Sequence, residues 1–229
     1  MKTLEQYIAE KLKIQNVKSK PKYELVPETK DELIQIIKDK IDKNGKHCSL
    51  NHIDVSGITD MESLFSKNGL RIFDGDISEW DVSSVTNMKN MFSSSDFTGD
   101  ISEWDVSNVE DMSCMFEYSV FKGDISKWDV SSVKNMKNMF HASKFDGDIS
   151  DWNVSSVENM EHMFNAASFN GDISKWNIKN VKNMGYMFAY AKHFNKDLSN
   201  MNISKVNVAT EMFFNSPMSN KKEFWPKRK

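Results

Sequence analysis

The sequence predicts an α/β repeat solenoid of about seven rungs, each made of a short strand and a short helix, behind an N-terminal helical cap. The first observation is a block of 24 residues that recurs five times with little change. The second is a period-two pattern inside each copy, and the third is a helical pattern that follows it. A fixed period of this length is typical of solenoids, whose repeats bury their apolar faces only against their neighbours.

The first regular copy reads FDGDISEWDVSSVTNMKNMFSSSD from Phe73, and the next four begin at Phe97, Phe121, Phe145 and Phe169. A degenerate sixth copy begins at Phe194, and a divergent early copy spans residues 50–65. We therefore divide the chain into an N-terminal helical cap (1–45), a repeat solenoid (46–213) and a basic C-terminal cap or tail (214–229).

Two patterns inside one copy predict its elements. Trp80 and Val82 alternate with polar neighbours, which indicates a short strand. The apolar residues that follow have one-face helical spacing after a Ser83–Ser84 cap, which predicts a short helix: Val85, Met88, Met91 and Phe92. Gly75 is expected to adopt a conformation that other residues avoid, and the insertion before Phe73 should form a loop at Asn68–Gly69.

The N-terminal region predicts two helices. Residues 3–14 have a short amphipathic pattern. A second helix should begin with a capping box at Thr29 and Glu32 and end at Asn44–Gly45. We expect it to cover the open end of the first rung, because terminal repeats expose apolar edges.

The motif F-x-G-D-I-S-x-W-[DN]-V-S-x-V-x-N-M-x-x-M-F closely resembles the repeats of BspA-like leucine-rich-repeat surface proteins, over residues 50–213. The match covers most of the chain, and its motif is long and specific. This resemblance implies a leucine-rich-repeat-like solenoid that binds other proteins, often in adhesion to host or matrix proteins.

The composition favours a protein partner over nucleic acid. The net charge is +2 over residues 1–45, −9 over residues 46–213 and +4 over residues 214–229. An acidic body repels nucleic acid, and only the basic tail suggests an anionic contact. Without a predicted membrane span or secretory signal, the expected location is the cytoplasm, or the cell surface if a leader was removed or a non-classical route is used. The chain should be a monomer or associate weakly.

No catalytic motif occurs, so we expect no enzyme, no cofactor and no metal. The Trp and Met columns should be core rather than a carbohydrate platform or a copper site. The aspartates of the Gly-Asp turns should cap their own turns rather than bind Ca²⁺, although the sequence leaves Ca²⁺ open: Asp76, Asp100, Asp124, Asp148, Asp172 and Asp197.

The hypothesis for function is a non-enzymatic protein–protein interaction module, adhesin-like or scaffold, that binds through the concave strand face. Its candidate residues are the outward strand positions: Glu79, Asp81, Glu103, Asp105, Lys127, Asp129, Asp151, Asn153, Lys175 and Asn177. The exposed helix positions form a rival surface: Asn90, Cys114, Asn138, His162 and Tyr186. The alternative function is a structural or self-assembling spacer without a dedicated ligand site.

Overall fold

The computed structural model describes residues 23–228, which contain little regular secondary structure. Helix α1 spans Lys30–Asn44, and 3₁₀ helices span Leu70–Ile72 and Lys222–Phe224. Within residues 23–228, extended pairing is limited to isolated parallel bridges such as Asn87 with Asp111. The predicted leucine-rich-repeat-like α/β solenoid of strands and helices is therefore wrong, and the repeats are built from turns. The predicted helix at residues 3–14 lies outside the described residues.

Left-handed residues replace the predicted helix of each repeat with consecutive turns. Asn90 and Ser94 have φ angles of 56° and 55°, which an α-helix cannot include. The N–H of Met91 bonds to the carbonyl of Met88 at 3.2 Å, which closes a turn of four residues instead of a helical turn. Equivalent left-handed residues recur along the chain: Ser63, Cys114, Tyr118, Asn138, Ala142, His162, Ala166, Tyr186, Tyr190, Glu211 and Asn215.

These turns join consecutive repeats through a one-way ladder of hydrogen bonds, which we name the turn ladder. Met88, Asn90, Phe92 and Ser94 donate their N–H groups to the next repeat at 2.7–2.9 Å, to the carbonyls of Asp111, Ser113, Met115 and Glu117. Equivalent hydrogen bonds recur in the following repeats as far as Tyr190, which donates to Phe214. Alternate N–H groups thus point toward the C-terminal end of the stack, and the carbonyls that accept them point back.

The segment predicted as a strand is also a run of turns. The N–H of Trp80 bonds to the carbonyl of Ile77 at 3.2 Å, so the chain turns where the alternation predicted extension. The indole Nε1 of Trp104 donates to the Ile77 carbonyl of the preceding repeat at 3.1 Å. This bond recurs in every Trp column member and satisfies a buried backbone acceptor between repeats: Trp80, Trp128, Trp152 and Trp176.

The core consists of columns of identical side chains that run through the stack. The prediction that the Trp and Met columns are core is confirmed, because every Trp from Trp80 to Trp176 is at most 5% exposed and the Met side chains of the regular copies are fully buried. Two Phe columns stack beside them: Phe116 and Phe140 have ring centroids 5.7 Å apart, and Phe140 and Phe145 4.4 Å apart. Burial of these aromatic rings removes a large apolar area from water and is therefore a major source of stability.

Glycine in the Gly-Asp turn is required by close approach and not by an unusual φ, which corrects the prediction for Gly75. The φ of Gly75 lies outside the left-handed region, but a Cβ there would meet the Cys48 carbonyl oxygen at 2.0 Å. It would also meet the ring of Phe73 at 2.7 Å, and the later copies repeat this ring contact. The insertion before Phe73 does contain left-handed residues, Asn68 and Gly69.

The two ends of the stack are covered by different segments. The Thr29 hydroxyl accepts the N–H of Glu32 at 3.2 Å and caps α1 at the predicted position. Leu33 and Ile37 of α1 are fully buried in the core, and the Nζ of Lys30 donates to Asp60 at 2.7 Å. At the other end, residues 222–228 pair with residues 198–203, and the rings of Trp225 and Phe213 lie 5.2 Å apart.

Candidate functional site

All ten sequence-predicted interaction residues are exposed. They lie on turns, because the described residues contain no strand and therefore no concave strand face. They occupy two positions of the repeat, one residue before and one residue after the Trp, and the structure places Glu103 and Lys127 of neighbouring repeats in contact.

The row equivalent to Asp81 serves local structure. Asp81 Oδ1 accepts hydrogen bonds from the N–H of Ser83 at 3.1 Å and from its hydroxyl at 2.6 Å. Asn153 accepts the N–H of Ser155 in the same way at 3.2 Å, so Asp and Asn are interchangeable here. These side chains therefore have a structural role that does not need a partner.

The row equivalent to Glu79 has a mixed charge. Its Lys127 and Glu103 form an ion pair at 3.0 Å, with both side chains more than 70% exposed. Such a pair contributes little to stability. The row remains available to a partner, but it contains no buried or aromatic anchor.

A second set of ion pairs links the repeats beside the column of isolated bridges. Lys134 contacts Glu110 at 2.7 Å, and Lys182 contacts Glu158 at 2.5 Å. One position of the repeat thus alternates in sign from copy to copy: Glu110, Lys134, Glu158 and Lys182. We name this set the alternating row.

The aspartates of the Gly-Asp turns cap their own turns, as the sequence favoured. Asp100 accepts the N–H of Ser102 at 2.9 Å, and Asp124 and Asp148 accept the equivalent Ser N–H at the same distance. This hydrogen bond from the backbone, followed by the one from the Ser hydroxyl, lowers the pKa of each carboxyl. The capped, ionised form is therefore favoured in the folded chain.

We expect acid to destabilise the protein through these caps. Because the folded pKa is lowered, the stabilisation is present above the ordinary carboxyl pKa of about 3.9 and is lost as the pH falls through the folded pKa. Replacing Asp100, Asp124 and Asp148 with Asn keeps the capping oxygen but removes the titration. Thermal unfolding between pH 5 and pH 2 should show a smaller fall in Tm for this variant than for wild type. Equal falls in Tm for the variant and for wild type would contradict the assignment of these aspartates as caps. The control is Asp151→Asn, which removes an exposed carboxylate outside the Gly-Asp turns.

The left-handed turns carry the least repetitive surface, which we name the aromatic patch: Tyr118, His141, His162 and Tyr186. The rings of Tyr118 and His141 have centroids 5.0 Å apart, those of His141 and His162 6.2 Å, and those of His162 and Tyr186 4.9 Å. Tyr118 is 57% exposed. The patch crosses four copies and includes two residues of the rival surface that the sequence indicated.

Two contacts position the histidines of the aromatic patch. His141 Nδ1 lies 3.0 Å from Glu117 Oε1, and His162 Nδ1 lies 3.0 Å from Asn165 Nδ2. Partial burial lowers the pKa of His162, which favours its neutral form near pH 7. The patch is therefore a surface of preorganised rings. Sequence reasoning missed Tyr118 and His141, although Tyr118 stands where the neighbouring copies have Ser or Ala.

Metal binding, thiol chemistry and membrane insertion have limited support in the described residues. Within residues 23–228, no group of three or more His, Cys, Asp or Glu side chains is arranged to hold a metal ion. Cys48 and Cys114 are free thiols, and burial raises the pKa of each. No helix in this range is long and apolar enough to cross a bilayer.

A stack of turn-rich repeats with a partly exposed aromatic patch defines the chain as a repeat protein. The model of the family described as "Mycoplasma protein of unknown function, DUF285" matches it twice, over residues 37–142 and 117–225, and the chain belongs to this family. No curated protein and no solved structure matches it. The coarser expectation of a repeat family is thus confirmed, whereas the BspA-like resemblance is not.

Proposed function

We propose that the protein is a non-enzymatic protein-binding module whose partner contacts the aromatic patch. The observation that carries this proposal is the occupation of strained backbone positions by bulky rings. Tyr186 has a φ of 56°, a conformation that Asn tolerates better than Tyr, and His162 occupies the same position of its own copy with the same φ. Other copies place Asn90 and Asn138 at this position. An aromatic side chain at a position where Asn fits the backbone better indicates a role other than stability.

The chemistry of the patch suits protein recognition. Tyr is enriched at interfaces because its ring offers a large contact area with few rotatable bonds and a polar tip. The stacking of His162 on Tyr186, with an interplanar angle of 3°, holds both rings before a partner arrives. Binding to a rigid surface orders few additional groups.

Residues that occupy the same positions in other copies provide substitutions that test this proposal. In a variant with Tyr118→Ser, His162→Asn and Tyr186→Asn, each new residue is one that another copy has at the same position. We expect its Tm to equal or exceed that of wild type, because Asn fits the left-handed backbone. We also expect loss of the partner captured by wild type from lysate of the source cells, measured by quantitative mass spectrometry.

The matched control addresses the residues predicted from sequence. Glu79→Lys with Glu103→Lys reverses charge in their row but spares Asp81, which caps the turn at Ser83. This control should retain the partner. Loss of the partner from the control but not from the aromatic-patch variant would move the site to the predicted row, and retention by both would contradict a module that uses either surface.

A second candidate function, assembly of copies end to end, is favoured by the one-way turn ladder. Its N-terminal edge presents carbonyls, which would match the N–H groups at the C-terminal edge of another copy. Helix α1 covers the carbonyl edge, where the Nζ of Lys30 lies 3.4 Å from the Glu62 carbonyl oxygen. Under this hypothesis, removal of residues 1–45 should produce oligomers that grow with concentration in light scattering, whereas the full chain remains a monomer.

A further inference from the structure

In the part of the chain that the structure describes, the turn ladder ends at the last repeat with donors that have no acceptor. In the preceding repeat, N–H groups bond forward at 2.7–2.8 Å, from Met184, Tyr186, Phe188 and Tyr190 to Val208, Thr210, Met212 and Phe214. In the last repeat, the equivalent donors are the N–H groups of Ala209, Glu211, Phe213 and Asn215. None of these four N–H groups has an acceptor within residues 23–228. We name this row the N–H edge.

The C-terminal segment covers only half of the last repeat. Residues 222–228 lie along residues 198–203, where Leu198 and Ile203 donate to Phe224 and Lys227 at 2.9 and 3.0 Å. The N–H edge lies beside this covered half and lines a cavity of about 520 Å³ together with Phe214, Ser219 and Trp225. Phe214 is 45% exposed there. The row of donors thus lines an open cavity whose wall is part apolar and part polar.

We propose that the N–H edge is a docking site for an acidic segment of a partner protein that adopts the same run of turns as a layer of the ladder. The segment would add one more layer to the turn ladder: its main-chain carbonyls would accept the four N–H groups, and an apolar side chain would enter the cavity beside Trp225. This site lies one repeat beyond Tyr186 of the aromatic patch and uses main-chain N–H groups instead of the rings, so it does not depend on the proposed function.

Three observations favour this occupant. A row that consists entirely of N–H donors can be satisfied only by acceptors. A main chain presents carbonyl oxygens at a regular spacing, which can match the spacing of the four N–H groups. A second copy is disfavoured as the occupant, because the Nζ of its Lys30 already contacts the Glu62 carbonyl oxygen of its carbonyl edge at 3.4 Å, and Leu33 and Ile37 bury the same helix in the core. Residues 214–228, which contribute Phe214, Ser219 and Trp225 to the cavity, include four basic residues and one acidic residue, a balance that favours a negatively charged segment. Glu211 is the one carboxylate in the row itself.

The chain contains two peptides that form a matched pair of probes. Residues 109–118, VEDMSCMFEY, and residues 133–142, VKNMKNMFHA, share the apolar pattern and carbonyl spacing of a ladder layer. Their charges are opposite: three acidic residues in the first and two basic residues in the second. Fluorescent versions of both would be titrated with the full-length protein at low and high salt.

The expected result is that the acidic peptide binds about tenfold more tightly than the basic one at low salt, and that the difference shrinks at high salt. Amide hydrogen exchange, followed by NMR, should slow at Ala209, Glu211, Phe213 and Asn215 when the acidic peptide is added. Amides of the preceding repeat, already bonded, should change little. Ala209→Pro, which removes one donor, should weaken binding by about tenfold relative to wild type.

Other outcomes would overturn the proposal. Absence of binding, or binding without slower exchange at the four amides, would exclude the N–H edge as the site. Equal or tighter binding of the basic peptide would exclude an acidic segment as the occupant. Association of the full chain with itself through the same amides would replace the peptide with a second copy. The exchange measurement uses wild type, so it stands even if Ala209→Pro fails to fold.

Discussion

Replacing Phe140 with Ala should lower the free energy of unfolding by about 3–5 kcal/mol, the range observed for large aromatic side chains removed from a core. Phe140 is fully buried. Its ring is surrounded by four others, with centroids 4.4–6.4 Å from its own: Phe116, Phe145, Trp152 and Phe164. Removing the ring would therefore leave a cavity that this stack cannot close, and chemical denaturation measures the loss.

The control for this variant is Phe214→Ala. Phe214 is 45% exposed and lies outside the buried columns, so its removal should lower the free energy of unfolding by less than about 1 kcal/mol. Similar losses in the two variants would contradict the assignment of the Phe columns as the principal core.

Replacing Gly75 with Ala should destabilise the fold by about 1–3 kcal/mol, the usual effect of inserting a methyl group into a packed site. The new Cβ would lie 2.0 Å from the Cys48 carbonyl oxygen and 2.7 Å from the Phe73 ring. Backbone at such a distance cannot give way as the end of a flexible side chain can, so the layer must shift. Thermal and chemical unfolding both measure this effect.

Gly57→Ala is the matched control, because a Cβ at Gly57 has no atom within 4 Å and the φ of Gly57 is outside the left-handed region. This variant should be neutral or slightly stabilised, since Ala restricts the unfolded chain more than Gly does. An unchanged stability in Gly75→Ala would show that the layers can separate at the Gly-Asp turn, against the packing described above.

Much of the layer was predictable from the sequence, but its backbone was not. The period placed Trp80, Met88 and Phe92 in the core, and all three are buried. The same apolar spacing also fits a run of turns, because turns that close every four residues return side chains to one side much as a helix does. Hydrophobic spacing alone therefore could not separate the two.

The left-handed residues decide between helix and turns, and the sequence marks them weakly. Asn90 and Asn138 are residues that often adopt this conformation, but Cys114 and Tyr186 are not. Likewise, the alternation around Trp80 fits a strand as well as it fits two turns capped by Asp76 and Asp81. The aromatic patch was only half predictable, because its ring contacts join positions that differ between copies.

The alternating row has a consequence for how the length of this protein can change. Duplication or loss of one copy keeps every Phe, Met and Trp column in register, because the copies are nearly identical. Loss of residues 121–144 would, however, place Glu110 beside Glu158, two like charges, whereas loss of residues 121–168 would place Glu110 beside Lys182 and restore an opposite pair. Loss of one copy should therefore remove the ion pair between neighbouring repeats at Glu110, whereas loss of two copies should keep one there.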